Sequence, residues 1–470
     1  MRGTRARLGW AALMALTALL VLPAVPTLPT APSVTAGASD SRPTSIHVAA
    51  AGSWSTFHGS EDRTGFSPAD GPGAGTSRWL VCPSGTPIRA APVVNGTRVF
   101  YGDTFGEVFA LDSGTNGTVV WNRSVGAAAT GLELVPPFLY VGAFDGTVHA
   151  FDAANGTVVW NSSSLGSPLV QGLAFDNSTL FVGDQAGDIE ALNLLTGVAR
   201  WTLPLGDGLA GALAVSSGVL YGATENGTVV AISEAGRVGW TVSLKVPMNS
   251  AAAVDGSRLI VGDRSGGVHA LSTANGSVLW SFPLTGGKRV GAFNETPAVG
   301  LGSVWIQSDT GTIVALNETT GAEEWNASVL YSGWPANPSP IIAPNGLYLI
   351  EETQAIADWT PQNGTVVWRQ SLGGTTSFAS PALFGGVLYV ADSIGCLRAL
   401  GAAGAPTSYP VRGEVVHPDG TPLPNASIIA VGAGLPAART GSNGTFVLEL
   451  PNGTFTLDID AADFEPTQIS

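Results

Sequence analysis

Few residues in this chain combine a reactive side chain with an informative spacing. Its two cysteines, Cys82 and Cys396, stand 314 positions apart. Two cysteines exclude a zinc ribbon and a disulfide-dense scaffold, and leave at most one long-range bond. Four aspartates, Asp103, Asp184, Asp263 and Asp392, each follow Gly or Ala in equivalent turns. A ring of carboxylates can hold a hard cation, but capping of the turn's own backbone is the simpler account of Asp there. His149 and His269 also occupy matching positions, in repeats too distant to share a metal. No Gly-rich phosphate loop opens a helix and no Gly-x-Ser-x-Gly elbow occurs.

One modification signal is dense. Fifteen of the 19 asparagines lie in Asn-x-Ser/Thr, several times the chance number. Eight of these read Asn-Gly-Thr or Asn-Gly-Ser, which hairpin-turn chemistry explains without any glycan. The other seven, Asn122, Asn161, Asn177, Asn294, Asn317, Asn326 and Asn425, are the expected N-glycosylation sites. Composition sets the background. Only 12% of residues are charged while 44% are apolar, so most of the chain must fold. A net charge of −15 argues against a nucleic-acid partner, which needs a basic face.

The elements that would position these residues repeat. Trp79, Trp121, Trp160, Trp201, Trp240, Trp280, Trp325 and Trp368 follow one another at intervals of 39 to 45 residues. The phrase ending in each also repeats, most clearly as Ala150-Phe151-Asp152-Ala153-Ala154-Asn155-Gly156-Thr157-Val158-Val159-Trp160. Alternating β-branched and aromatic residues broken by Gly and Asn-Gly turns give hairpins, about four strands per unit. A four-stranded unit at a period of ~40 residues is a propeller blade. A solenoid is the rival architecture, and the chain ends favour a ring. The last unit, Pro381 to Leu400, lacks a Trp strand; the first segment supplies one, Trp79-Leu80-Val81-Cys82, without the strands that precede it. Joined, they complete an eighth blade and remove the open edges. On this alignment Cys396 falls on Thr147 and Cys82 on Ser163, roughly opposite each other on neighbouring strands, which predicts a disulfide across the seam.

The Ala-x-Asp-x-x-x-Gly-x-x-x-Trp phrase resembles the tryptophan-docking motif of pyrroloquinoline-quinone-like (PQQ-like) repeat propellers. The opening Trp54-Ser55-Thr56-Phe57-His58-Gly59 and Arg63-Thr64-Gly65-Phe66-Ser67 are similar to the first segment of such domains. The resemblance spans residues 54–402 and implies that each Trp packs between blades. Unit 7 departs most, with Glu351-Glu352-Thr353-Gln354 in place of the Gly-rich turn. The family holds quinoprotein dehydrogenases and non-catalytic members. The resemblance implies adjacent cysteines against the quinone, and a calcium site, in the former. Here the cysteines are far apart, no motif marks calcium ligands, and eight blades leave little chain for a lid. The longest stretches between blades are Gly286–Thr296 and Tyr331–Pro340.

The flanks complete the expected organisation. Residues 1–38 read as a signal peptide, with three Arg before an apolar run from Leu8 to Val25 and a small-residue exit at Ala36-Gly37-Ala38. Residues 39–53 read as a linker, 54–402 as the propeller and 403–410 as a second linker. Residues 411–470 resemble a carboxypeptidase-regulatory-like (transthyretin-like) β-sandwich, with its Gly-x-Pro turn at Gly420-Thr421-Pro422 and a final strand cut short at Ser470. The expected whole is an all-β, N-glycosylated protein, secreted or at the cell surface, with no membrane span after signal removal. It would act as a binding or scaffold protein toward a protein or glycan ligand, without a cofactor. The alternative is a quinone- or metal-dependent oxidoreductase working on the propeller axis.

Overall fold

The computed structural model describes residues 48–49, 53–282, 291–329, 338–351, 354–373, 379–401, 409–415, 421–431, 438–442, 444–450, 456–460 and 467–469. The expected signal peptide, residues 1–38, residues 286–290 and 331–337 of the two interblade stretches, and 403–408 of the expected second linker lie outside them. The chain divides into two units, Ser53–Ala405 and a second made of Met1–Gly52 with Pro406–Ser470.

The first unit is an eight-bladed propeller of antiparallel sheets. In blade 3 the strands Ala174–Asp176, Thr179–Gly183, Asp188–Asn193 and Ala199–Pro204 run from axis to rim. One register row crosses the sheet: Ala174, Phe181, Ala191 and Trp201 are successive partners. The same row recurs in every blade, as Val93-Phe100-Ala110-Trp121 in blade 1 and Ala214-Tyr221-Ala231-Trp240 in blade 4. Ala on the third strand of seven blades, and on the first strand of most, makes room for the ring between them. The ladder shifts by one residue just past the small third position, as between Ala191 and Leu192, which sets the Trp at the rim.

Each Trp then docks on the next blade. A Cβ added to Gly197 would stand 2.3 Å from the Trp160 ring, and one on Gly364 would stand 2.6 Å from Trp325. Both glycines have positive φ, +67° and +66°, so the turn and the close approach each require Gly. The indole Nε1–H of Trp121, Trp160, Trp201, Trp240, Trp280 and Trp325 donates to a carbonyl in the following blade at 2.8–3.0 Å. Within the blade the indole leans on the aromatic of its own row, as in Tyr140–Trp160 with centroids 5.6 Å apart, a contact worth about 1 kcal/mol beyond its buried area.

Blade 8 is made from both ends of the unit. Ala382–Phe384, Val387–Ala391 and Leu397–Leu400 are followed in the sheet by Ser77–Val81. Trp79 pairs with Ala399, which pairs with Tyr389, so the register row is restored across the seam. Trp368 of blade 7 packs against Gly75, which leads into this outer strand, and Trp79 packs against Gly117 of blade 1.

The second unit has two sheets. One orders Val48–Ala49, Tyr409–Glu414 and Thr445–Leu450; the other orders Ala438–Arg439, Ser427–Val431, Thr456–Asp460 and Thr467–Ile469. The stretch 39–53, expected as a linker, therefore contributes a strand that pairs Val48 with Gly413 and Ala49 with Arg412. It covers an edge of the 409–414 strand, which a small sheet would otherwise leave open. A two-residue strand is too short to show any alternation in sequence.

Candidate functional site

The inner strands of a propeller have free edges that face the axis. Here the opening segment fills one end of that axis. Trp54 pairs with Val94 of blade 1. Leu134, Val215, Val254, Val299 and Ile342, on the inner strands of blades 2, 4, 5, 6 and 7, donate N–H bonds to the carbonyls of Ser55, Glu61, Asp62, Thr64 and Gly65 at 2.7–2.9 Å. In blade 3 Phe175 N–H donates to the Glu61 carboxylate at 2.8 Å. The segment is thus a plug that bonds seven consecutive blades, six through its backbone and blade 3 through the Glu61 carboxylate.

Arg63 fixes the plug from inside. Its side chain is fully buried, with Nε donating to the Leu213 carbonyl at 2.9 Å and Nη1 to the Phe57 carbonyl at 2.8 Å. Nη2 donates to the Leu173 carbonyl. His58, also buried, lies between the carbonyls of Arg63 and Pro340, at 2.6 and 2.7 Å. Burial holds its pKa down, to about 4, against the pull of those two carbonyls. Glu133 lies on the inner strand of blade 2, buried. Burial first, and the neighbouring Glu61 second, push its carboxyl well above the usual range, with Arg63 opposing.

A funnel of about 370 Å³ is lined, among the described residues, by Phe57, Val170, Gln171, Gln185, Leu209, Ala210, Gly211, Ala212, Glu225, Asn249, Ala251, Asn294, Glu295, Thr296, Pro338, Ser339 and Ser380. That volume is within the usual small-molecule range of about 300–1,000 Å³. The lining offers amides, hydroxyls, two carboxylates and the buried Phe57, and among the described residues it holds no Lys, Arg or His. Pyrroloquinoline quinone carries three carboxylates and needs cationic or metal partners. The described lining residues supply no such partner, and its two carboxylates would repel that cofactor.

The residues singled out in sequence fall elsewhere. Cys82 and Cys396 are joined in blade 8, with Cα atoms 3.9 Å apart. Asp103, Asp184, Asp263 and Asp392 are buried turn caps; Asp184 Oδ1, for example, accepts the N–H of Ala186 and of Asp188 at 3.0 and 2.8 Å. His269 meets Asp263 at 2.9 Å and His149 meets Asn161 at 3.0 Å, each within its own blade. Among the described residues no cluster of three or more His, Cys, Asp or Glu is arranged to hold a metal. Asn122, Asn161 and Asn326 stand exposed directly after the rim Trp; Asn177 and Asn425 are in exposed turns; Asn317 ends a third strand; Asn294 is in the funnel wall. The plug chemistry was not anticipated. One signal for it was present: Glu133 stands where the other blades place Val, Ala or Ile.

Comparison with known proteins agrees with this geometry. The profile of the family described as outer membrane protein assembly factor BamB matches residues 144–370 and 289–412. That of the carboxypeptidase regulatory-like domain matches residues 410–470. Outer membrane protein assembly factor BamB of Yersinia pestis is 28% identical over 321 residues, covering 65% of this chain and 72% of that protein. The Escherichia coli K12 protein is 25% identical over 287 residues, covering 48% and 72%. Among solved structures, BamB from Moraxella catarrhalis superposes with a TM-score of 0.59 at 16% identity, covering 70% of this chain and 99% of that one. The quinohemoprotein alcohol dehydrogenase of Comamonas testosteroni gives 0.63 at 15% identity, covering 75% and 81%. At such identities these two structures share the fold alone.

Proposed function

We propose that this chain, which belongs to the outer membrane protein assembly factor BamB family, is an exported, N-glycosylated binding scaffold of the cell envelope or cell surface. Its funnel takes an uncharged polyhydroxylated ligand, the terminal sugars of a glycan. The observation that carries the reading is the funnel's chemistry: amides, hydroxyls and carboxylates that pair with a sugar's hydroxyls and, among the described residues, no basic group for an acidic cofactor. The relatives' name, assembly factor, supports a role in holding other molecules rather than converting them. A plugged, Trp-docked ring supports rigidity, which is what a scaffold must supply.

The test is calorimetric titration of the purified protein with neutral oligosaccharides, beside its absorption spectrum. Binding that falls at least tenfold in Gln185→Ala and Asn249→Ala is expected. Both side chains are exposed on the funnel wall, so their removal leaves the fold intact. A quinone chromophore that copurifies and turns over an alcohol would replace this reading with an oxidoreductase one. Failure of every neutral glycan to bind would remove the sugar.

A further inference from the structure

The outer strand of each blade is an open sheet edge, and the two residues ahead of its Trp decide how that edge meets water. In four blades both are apolar: Val119-Val120, Val158-Val159, Val278-Leu279 and Val366-Val367. Val119, Val158, Val278, Leu279 and Val367 are 46 to 56% exposed. Short, uncharged, β-branched stretches on a free edge are templates for intermolecular pairing. The other four outer strands place a charge within three residues ahead of the Trp: Arg78, Arg200, Arg237, and Glu323 with Glu324. A neighbouring charge is the usual protection for such an edge. The four apolar edges have none there. Each has an Asn-Gly-Thr or Asn-Gly-Ser turn in its place, at Asn116, Asn155, Asn275 and Asn363, and none of the four charged edges has one.

The turns suit modification. All four asparagines are exposed. The Oδ1 atoms of Asn155, Asn275 and Asn363 accept the N–H of Thr157, Ser277 and Thr365 at 2.8–3.0 Å, and among the described residues no protein group takes their Nδ2. Asn177, Asn317 and Asn326, by contrast, donate Nδ2 to Glu234, Glu324 and Glu323.

We infer that Asn116, Asn155, Asn275 and Asn363 are N-glycosylated, and that their glycans cover the apolar edges where the other blades use charge. This rests on the exported, glycosylated reading above. The donor is a lipid-linked sugar phosphate. Nδ2 forms a bond to the anomeric carbon, the bond from that carbon to the phosphate oxygen breaks, the lipid phosphate leaves with the electron pair, and Nδ2 loses one proton. Hairpin geometry alone accounts for Asn-Gly, but not for the pairing of the sequon with an apolar stretch ahead of the Trp, where even the two strands that carry an Arg, Arg123 and Arg369, place it only beyond the Trp.

Glycopeptide mass spectrometry of the protein secreted from an N-glycosylating host tests this site by site. Occupancy at these four positions is expected. Occupancy at other sequons with these four bare would overturn this inference and leave the glycosylated reading standing; no modification anywhere would overturn both. The variant Thr118→Ala/Thr157→Ala/Ser277→Ala/Thr365→Ala keeps every Asn-Gly turn and removes the four sequons. It should keep its β-sheet circular dichroism while self-associating and binding an apolar dye several-fold more. Unchanged dye binding and a monomeric variant would overturn the covering role.

Discussion

Replacing both seam cysteines by serine, Cys82→Ser with Cys396→Ser, isolates the covalent part of ring closure. The folded ring changes little, because Ser77–Val81 still pairs with Leu397–Leu400 and serine is nearly isosteric. The effect lies in the unfolded chain, which the bond closes into a loop of 314 residues. The loop-entropy relation gives about 6 kcal/mol for that length at 25 °C, a ceiling because residual structure in the unfolded chain lowers it. Urea unfolding followed by tryptophan fluorescence is the natural assay, since Trp79 is at the seam. Oxidised wild type should unfold at a clearly higher urea concentration than the double variant. Reduced wild type should coincide with the variant, and the variant should ignore reductant. Equal midpoints for oxidised wild type and variant, or two free thiols in the denatured, unreduced protein, would refute the reasoning.

Two further outcomes follow from the register row. Asp358 of blade 7 stands where seven blades have Ala, and burial pushes its pKa up to about 7. Its carboxyl therefore costs nothing below about pH 4, costs progressively more as pH rises to 7, and is constant above; three units correspond to about 4 kcal/mol. Asp358→Asn should stabilise the propeller by up to that amount at pH 8 and hardly at pH 4 in thermal melts, and a pH-independent effect would contradict the assignment. Gly197→Ala forces Cβ into Trp160 at a positive φ, whereas at Gly206, also at positive φ, +78°, nothing lies within 4 Å. The first should cost roughly 2–4 kcal/mol and the second about 1; equal losses by chemical denaturation would show that the Trp–Gly contact contributes nothing.

The ring was legible in sequence because its cause is local and repeated. A Trp every ~40 residues, with Gly four residues ahead and in most units an Ala nine to eleven ahead, needs no long-range information to be recognised. Blade closure was also readable, since two incomplete units at the ends of a repeat array complement each other. Both outliers in the register row were visible as letters, Glu133 and Asp358, but not their meaning. Whether a carboxyl among apolar neighbours is buried, and what faces it, depends on which blade neighbours which. The plug shows the limit most clearly. Trp54 to Ser67 has no periodicity, and its bonds run to inner strands spread over more than 200 residues of chain. The funnel arises the same way, from isolated amides and hydroxyls on separate blades that only ring closure brings together around Phe57. Repetition wrote the blades into the sequence; the axis belongs to no single repeat, so only the closed tertiary structure decides its chemistry.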